Sequence, residues 1–261
     1  STLPSGSRVK SHAVLKPTVS ELRLPQDVEL LFAPGLQSMK HVVKGNSQAV
    51  GVMSRSFAGT DNTAPERTMD WVMGPWLRGR WEDRRRKVFM DWMAIWTFCM
   101  CYVKQGFILG AYDLDKILRA VVVVHPLLNG WKTCSSVDLV KILSLAGEPP
   151  TKALGDACHG ILARLESLAV IDDLHRKQCP GPHFHVKVMA VDPDAQGIGF
   201  CSKLMRLVSD YSESLRLPIY LEASGAKNLT IFERFGYQAA GEVTLACFKD
   251  PDGSMDAAEV V

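Results

Sequence analysis

Between residues 186 and 202 an apolar strand runs into Asp192-Pro193-Asp194-Ala195-Gln196-Gly197-Ile198-Gly199-Phe200-Cys201-Ser202, and an amphipathic helix follows. Gly197 and Gly199 let the backbone approach a ligand closely. The helix that opens here leaves its first N–H groups unpaired and aimed at an incoming anion. The expected ligand is a pyrophosphate, held by amides from Gln196 to Cys201 and by the positive end of the helix dipole. A dinucleotide fingerprint fails at its third glycine, which here is Ser202, and five residues separate its glycines from the strand. A Gly-x-x-x-x-Gly-Lys-Ser/Thr loop is absent.

A second group of reactive side chains surrounds this turn. His183 and His185 lie on one face of the strand and titrate near neutrality, while Tyr220, Glu222 and Ser224 share a face of the next strand. His175, Cys179, His183 and His185 are ligand-like types, but their spacing matches no established zinc template, so no metal is expected.

The elements that must position these groups can be read from periodicity. Residues 28–32 form a short apolar run, and a strand is possible near 41–44. Residues 47–57 carry a helical stripe through Val50, Met53 and Phe57, and residues 70–77 form a second short helix. Residues 82–105 read as a long helix with Phe89, Trp92, Trp96 and Cys99 at three- and four-residue steps. Two strands, 107–112 and 117–125, flank the turn Asp113-Leu114-Asp115-Lys116. Residues 126–182 are too long for a tight connection and hold two helical patterns, 136–145 and 151–175. The cofactor strand at 183–191, a helix at 197–215, a strand at 219–223, a helix at 228–235 capped by Gly236 and a strand at 241–248 complete the chain. The expected boundaries are an extension at 1–45, a domain at 46–249 and a solvated tail at 250–261.

The spacing Gln196-x-x-Gly199-x-Cys201 after a strand ending Ala190-Val191-Asp192-Pro193 resembles motif A of the GNAT superfamily of N-acetyltransferases, written Gln/Arg-x-x-Gly-x-Gly/Ala. The resemblance continues through Leu221-Glu222-Ala223-Ser224 and Asn228-Leu229-Thr230-Ile231-Phe232-Glu233-Arg234-Phe235-Gly236-Tyr237. It spans about 183 to 245; upstream it rests on element order.

The resemblance implies an α/β (α+β) fold: a mixed, mostly antiparallel sheet flanked by helices, with residues 126–182 as a helical insertion before the cofactor strand. It implies acetyl-CoA as co-substrate, its diphosphate on Gln196, Gly197, Ile198, Gly199, Phe200, Cys201 and Ser202. The pantetheine arm would pair with the main chain of Met189, Ala190 and Val191 in the manner of an added strand, and Asn228 and Phe232 would reach the arm. The implied reaction is attack of a primary amine, on a small molecule or a peptide, at the thioester carbonyl. Asn228 also reads as a helix-start cap.

The family's usual acid, a tyrosine, is replaced by Phe232, which has no proton to give. A thiol of pKa about 8.5 leaves tolerably as thiolate. Tyr237 or Tyr220 could substitute as the acid; Glu222 is the expected base, with His183 and His185 as further candidates. The alternative is a non-catalytic module of this fold that binds acyl-CoA as a sensor or scaffold.

The chain has 261 residues, 47% hydrophobic and 22% charged, with a formal net charge of +2. That is globular, and too balanced for general nucleic-acid binding. Arg84-Arg85-Arg86-Lys87 is a charge run at the start of a helix and reads as a solvated face, with an acidic substrate or partner as the second reading. Seven cysteines in no regular framework point to a reducing, cytoplasmic setting, although a start at Ser1 leaves room for a removed organelle-targeting leader. Residues 88–103, the most apolar run, are interrupted by Asp91 and are too short to span a bilayer, so no membrane partner is expected.

Overall fold

The computed structural model describes residues 22–35, 47–60, 63–80, 82–130, 134–245, 248–249, 255–256 and 259–261. The strand expected near 41–44 lies outside them. Five strands form one sheet in sequence order: β1 (Val28–Phe32), β2 (Phe107–Tyr112), β3 (Leu118–Leu127), β4 (His183–Val191) and β5 (Ile219–Leu221). All neighbours are antiparallel except β4 and β5, which run parallel. This is the mixed, mostly antiparallel sheet flanked by helices that the sequence implied.

Alternation along the strands sends their side chains to two cores. On one face α1 (Ser47–Ala58) and α3 (Arg84–Val103) cover Ile108, Val121, Val123, Val188 and Ala190. On the other, α8 (Phe200–Ser214) covers Phe107, Val122, Val124, Phe184 and Val186 through Phe200, Leu204, Met205 and Val208. A register shift opposes Val123 and Val124 to Val188 and Val186, so Lys187 is an extra residue in β4. That bulge keeps His183 and His185 on the same face as Val188 and Ala190.

A third core joins α2 (Arg67–Leu77) and α3 to the insertion. The insertion holds α4 (Ser136–Ala146), α5 (Thr151–Leu154), a 3₁₀ turn at Gly155–Ala157, α6 (Cys158–Ser167) and α7 (Ala169–Gln178). The single helix expected at 151–175 is therefore broken. Gly155 takes a left-handed φ of 58°, which ends the first turn, and Leu168 separates α6 from α7. The α4 end is set by a capping box between Ser135 and Asp138.

The basic run at 84–87 is a solvated face at Arg84 and Lys87, which are exposed, but not at Arg86. Arg86 is fully buried: its Nη1 donates to Asp70 at 2.8 Å and to the Leu77 carbonyl at 2.8 Å, and Nε and Nη2 donate to the Ala58 carbonyl. Arg85 pairs with Asp83 and Asp156, and Lys87 with Asp91 one turn on. The guanidinium ties the ends of α1 and α2 to the start of α3, which a flexible ammonium could not do in the same geometry.

The end of the chain also departs from expectation. The strand read at 241–248 is two short pieces, β6 (Val243–Thr244) and β7 (Phe248–Lys249), neither in the main sheet. β7 pairs with β8 (Met255–Asp256), and β6 pairs with β9 (Glu259–Val260). Residues 259–261 are thus not a solvated tail: Val260 is buried, and Ala223 and Val261 exchange backbone hydrogen bonds of 2.7 and 2.9 Å. Among the described residues no helix is long and apolar enough to cross a membrane.

Candidate functional site

The turn after β4 is built by Asp192. Its buried carboxylate accepts from the Asp194 amide at 3.1 Å, pairs with Arg55 of α1 and lies 4.0 Å from Arg119 of β3. A 3₁₀ turn at Pro193–Ala195 follows, then Gly197 and Gly199 at φ of 83° and 99°. An L side chain is strained at such values, so both positions call for glycine.

Gly199 is the N-cap of α8 and offers no side-chain acceptor, and the first intrahelical bond starts from the Lys203 amide. The amides before it at Phe200, Cys201 and Ser202 are the orphan donors of a helix start, and those of Gly197, Ile198 and Gly199 donate to no described group. Nothing lies within 4 Å of where a side chain would begin at either glycine. The cradle expected from Gln196 to Ser202 is open and supplied with donors, which fits a diphosphate.

Beside it the sheet divides. β5 pairs with β4 only at Phe184, His185 and Val186, opposite Ile219, Tyr220 and Leu221. Beyond Leu221 the chain turns to other partners: Ala223 pairs with Val261, and α9 (Gly225–Glu233) begins. The last residues of β4, including Met189, Ala190 and Val191, keep β3 on one edge and have no β5 partner on the other. A groove edged by strand main chain results, suited to an extended ligand that adds its own amides.

Glu222 stands where the strands part. Its Oε2 accepts from His185 Nε2 at 2.8 Å, and its Oε1 lies 3.8 Å from His175 Nδ1 of α7. The His175 ring stacks on Tyr220 at 3.8 Å and meets the His185 ring edge-on at 4.4 Å. His175 Nε2 is 2.7 Å from His183 Nε2, and His183 Nδ1 donates to the Gly181 carbonyl at 2.6 Å. His125 of β3, directly across from His185, completes a buried imidazole row.

Burial drives His175 down to about 3, with neighbouring His185 adding to the depression. Burial pushes Glu222 up, but His185 and Lys187 together outweigh it and hold the carboxyl at about 2. Both groups bind protons less readily when folded than when unfolded, so stability falls wherever the unfolded chain protonates first. For His175 this contribution is complete above pH 6.5 and is lost as pH falls from there toward 3. For Glu222 it is complete above pH 4.5 and is lost toward 2. Urea unfolding should therefore give constant stability above pH 6.5 and a loss on the order of 2–3 kcal/mol by pH 4. His175→Gln should make that segment shallower without flattening it, because burial also lowers His125 and His183; an equally steep loss in the variant would contradict the assignment.

The structure thus joins Glu222 to His185, which the sequence offered as separate candidates for the base, and adds His175. Tyr237 is elsewhere: it packs in the α8-side core, with its hydroxyl 3.4 Å from Ser209 and its ring edge-on to Phe232 at 6.1 Å. Cys201 is half-buried in α8, where burial raises its thiol pKa. Asn228 lies inside α9, whose N-cap is Ser224, and donates back to the Ser224 carbonyl and hydroxyl at 3.2 Å. It braces the helix start and is not the helix-start cap itself, which is Ser224. Nothing local in the sequence marks His125 as part of the site, because register across β3 and β4 alone brings it there.

No family model matches the chain, and no curated protein matches its sequence. Among solved structures it is similar to a histone acetyltransferase HPA2-related acetyltransferase from Corynebacterium glutamicum, at 14% identity over 89% of this chain and 93% of that one, TM-score 0.42. A Drosophila melanogaster polyamine N-acetyltransferase matches at 17% identity over 59% of this chain and 71% of its own, TM-score 0.35. A mosquito arylalkylamine N-acetyltransferase-like protein matches at 19% over 59% and 72%, TM-score 0.34.

Proposed function

We propose that this protein is an acetyl-CoA-dependent N-acetyltransferase that acylates a primary amine of a small molecule or peptide. The observation that carries the reading is the parting of β4 and β5 between an open glycine cradle and a buried Glu222–His185 pair. The cradle amides would hold the diphosphate, and the main chain of Met189, Ala190 and Val191 would hold the arm. When bound, acetyl-CoA supplies a thioester carbonyl for the amine to attack.

The chain's own contribution is proton handling and orientation. Glu222 remains an anion and accepts from His185 Nε2, so the imidazole is oriented and its protonated form stabilised. His185 takes the proton released as the nitrogen–carbon bond forms. The neighbouring His185 and Lys187 keep Glu222 in its anionic form, which suits it to orienting the imidazole. As the carbon–sulfur bond breaks, the sulfur departs as thiolate, since Phe232 has no proton to give. The ionised Glu222 also favours an acceptor that arrives as a cation.

Calorimetry with CoA, followed by thiol release from acetyl-CoA across a panel of amines and peptides, tests both halves. Binding with turnover on at least one amine is expected, and Gly199→Val should abolish the binding heat while leaving the far-ultraviolet dichroism unchanged. No binding overturns the reading. Binding without turnover, unimproved by Phe232→Tyr, assigns the fold instead to an acyl-CoA sensor, the reading that Phe232 favours.

A further inference from the structure

The imidazole row has a polarity that its hydrogen bonds fix. The Gly181 carbonyl can only accept, so His183 carries its proton on Nδ1 and presents a lone pair at Nε2. The 2.7 Å contact then requires His175 Nε2 to be the donor. A neutral His175 consequently presents a lone pair at Nδ1, and that atom faces Glu222 Oε1 across 3.8 Å. Oε1 is buried and accepts no hydrogen bond among the described residues. Two electron-rich atoms held face to face in a buried site favour a positive charge between them, a proton or a metal ion.

We propose that His175, His185 and Glu222 form a binding site for a divalent transition-metal ion of the zinc class. One ligand atom from each lies within 4.8 Å of the others, so a modest closure would reach the roughly 2.0–2.2 Å coordination distances that such an ion takes from imidazole and carboxylate. Two histidines and a glutamate are a donor set that suits this ion class, with one position left for water. The outer shell is already in place: His175 gives its other ring proton to His183, and His183 in turn to the Gly181 carbonyl, which orients the ligand ring as metal-bound histidines require. Stacking on Tyr220 fixes the plane of the His175 ring. The ligands come from α7 of the insertion, from β4 and from the end of β5, so the ion would clamp the insertion to the sheet.

The consequence for activity rests on the function proposed above. Glu222 and His185 would be shared, so an ion bound there displaces the proton-accepting pair and makes the site one of reversible metal inhibition.

The test begins with the full chain, stripped with chelator and titrated with ZnCl₂ by calorimetry. One equivalent is expected, with a rise in melting temperature. His175→Ala should weaken binding by at least about 100-fold and cancel that rise, and His183→Ala, which loses only the outer shell, should weaken it about 10- to 100-fold. The visible spectrum of the Co²⁺ form should show a tetrahedral site with no thiolate charge-transfer band. No stoichiometric binding, binding unchanged in His175→Ala, or a thiolate band that moves the ion to cysteine would each overturn the site. These readouts need no acetyl transfer. Zinc bound without CoA binding would leave the metal site standing and remove the transferase reading, and the reverse result would do the opposite.

Discussion

Glu222→Gln should reduce kcat by about 10²–10⁴ while leaving the affinity for CoA unchanged. The amide keeps the size of the carboxylate and can still accept from His185 Nε2, but it removes the negative charge that would stabilise a protonated His185. The loss should therefore fall on the chemical step. CoA affinity should hold because the proposed contacts, amides at residues 197–202 and strand edges at 189–191, do not involve the Glu222 side chain. His185→Gln should cause a loss of similar size, and the double variant should lose little more than either alone, since the pair acts as one unit. Single-turnover kinetics with calorimetric CoA affinities measures both quantities. A kcat within threefold of the parent, or losses that multiply in the double variant, would remove the pair from the mechanism.

Arg86→Met should destabilise the fold by about 3–5 kcal/mol, a far larger effect than an exposed basic residue would give. Methionine replaces most of the apolar stem, so the cost arises chiefly from what the guanidinium leaves behind. The carbonyls of Ala58 and Leu77 lose their donors, and the partly buried Asp70 carboxylate loses its cation. Arg86→Lys keeps the charge but cannot span three acceptors on two elements, and it should recover only part of the loss. Urea unfolding measures this directly. A change below about 1 kcal/mol would mean that the hydrogen bonds around Arg86 are readily replaced by solvent.

These two positions also mark how far sequence reasoning reached. The cradle was legible because its requirements are local. Positive φ at Gly197 and Gly199, a helix start without a capping side chain and a strand just before them are all written within a few residues. Most helices and the strands of the main sheet were legible for the same reason, since periodicity follows from the geometry of each element alone. Errors in element assignment appeared where a local pattern admitted two answers. The insertion's helical stripe continues across Gly155 and Leu168 although the backbone breaks at both, and residues 241–249 read as one strand although their partners lie at 255–260.

By itself, then, the sequence determined the glycine turn and most of the strands and helices, and its family resemblance implied the mixed sheet. Only the tertiary structure decided that Arg86 is interior, that Tyr237 packs away from Glu222, and that His175 and His125 join His185 and Glu222 in one row. The physical reason is the range over which each is specified. Turn conformation and amphipathic period are fixed by neighbours a few residues apart. The face on which a histidine emerges depends on the extra residue at Lys187, and its partners depend on where α7 of the insertion comes to rest against β4 and β5.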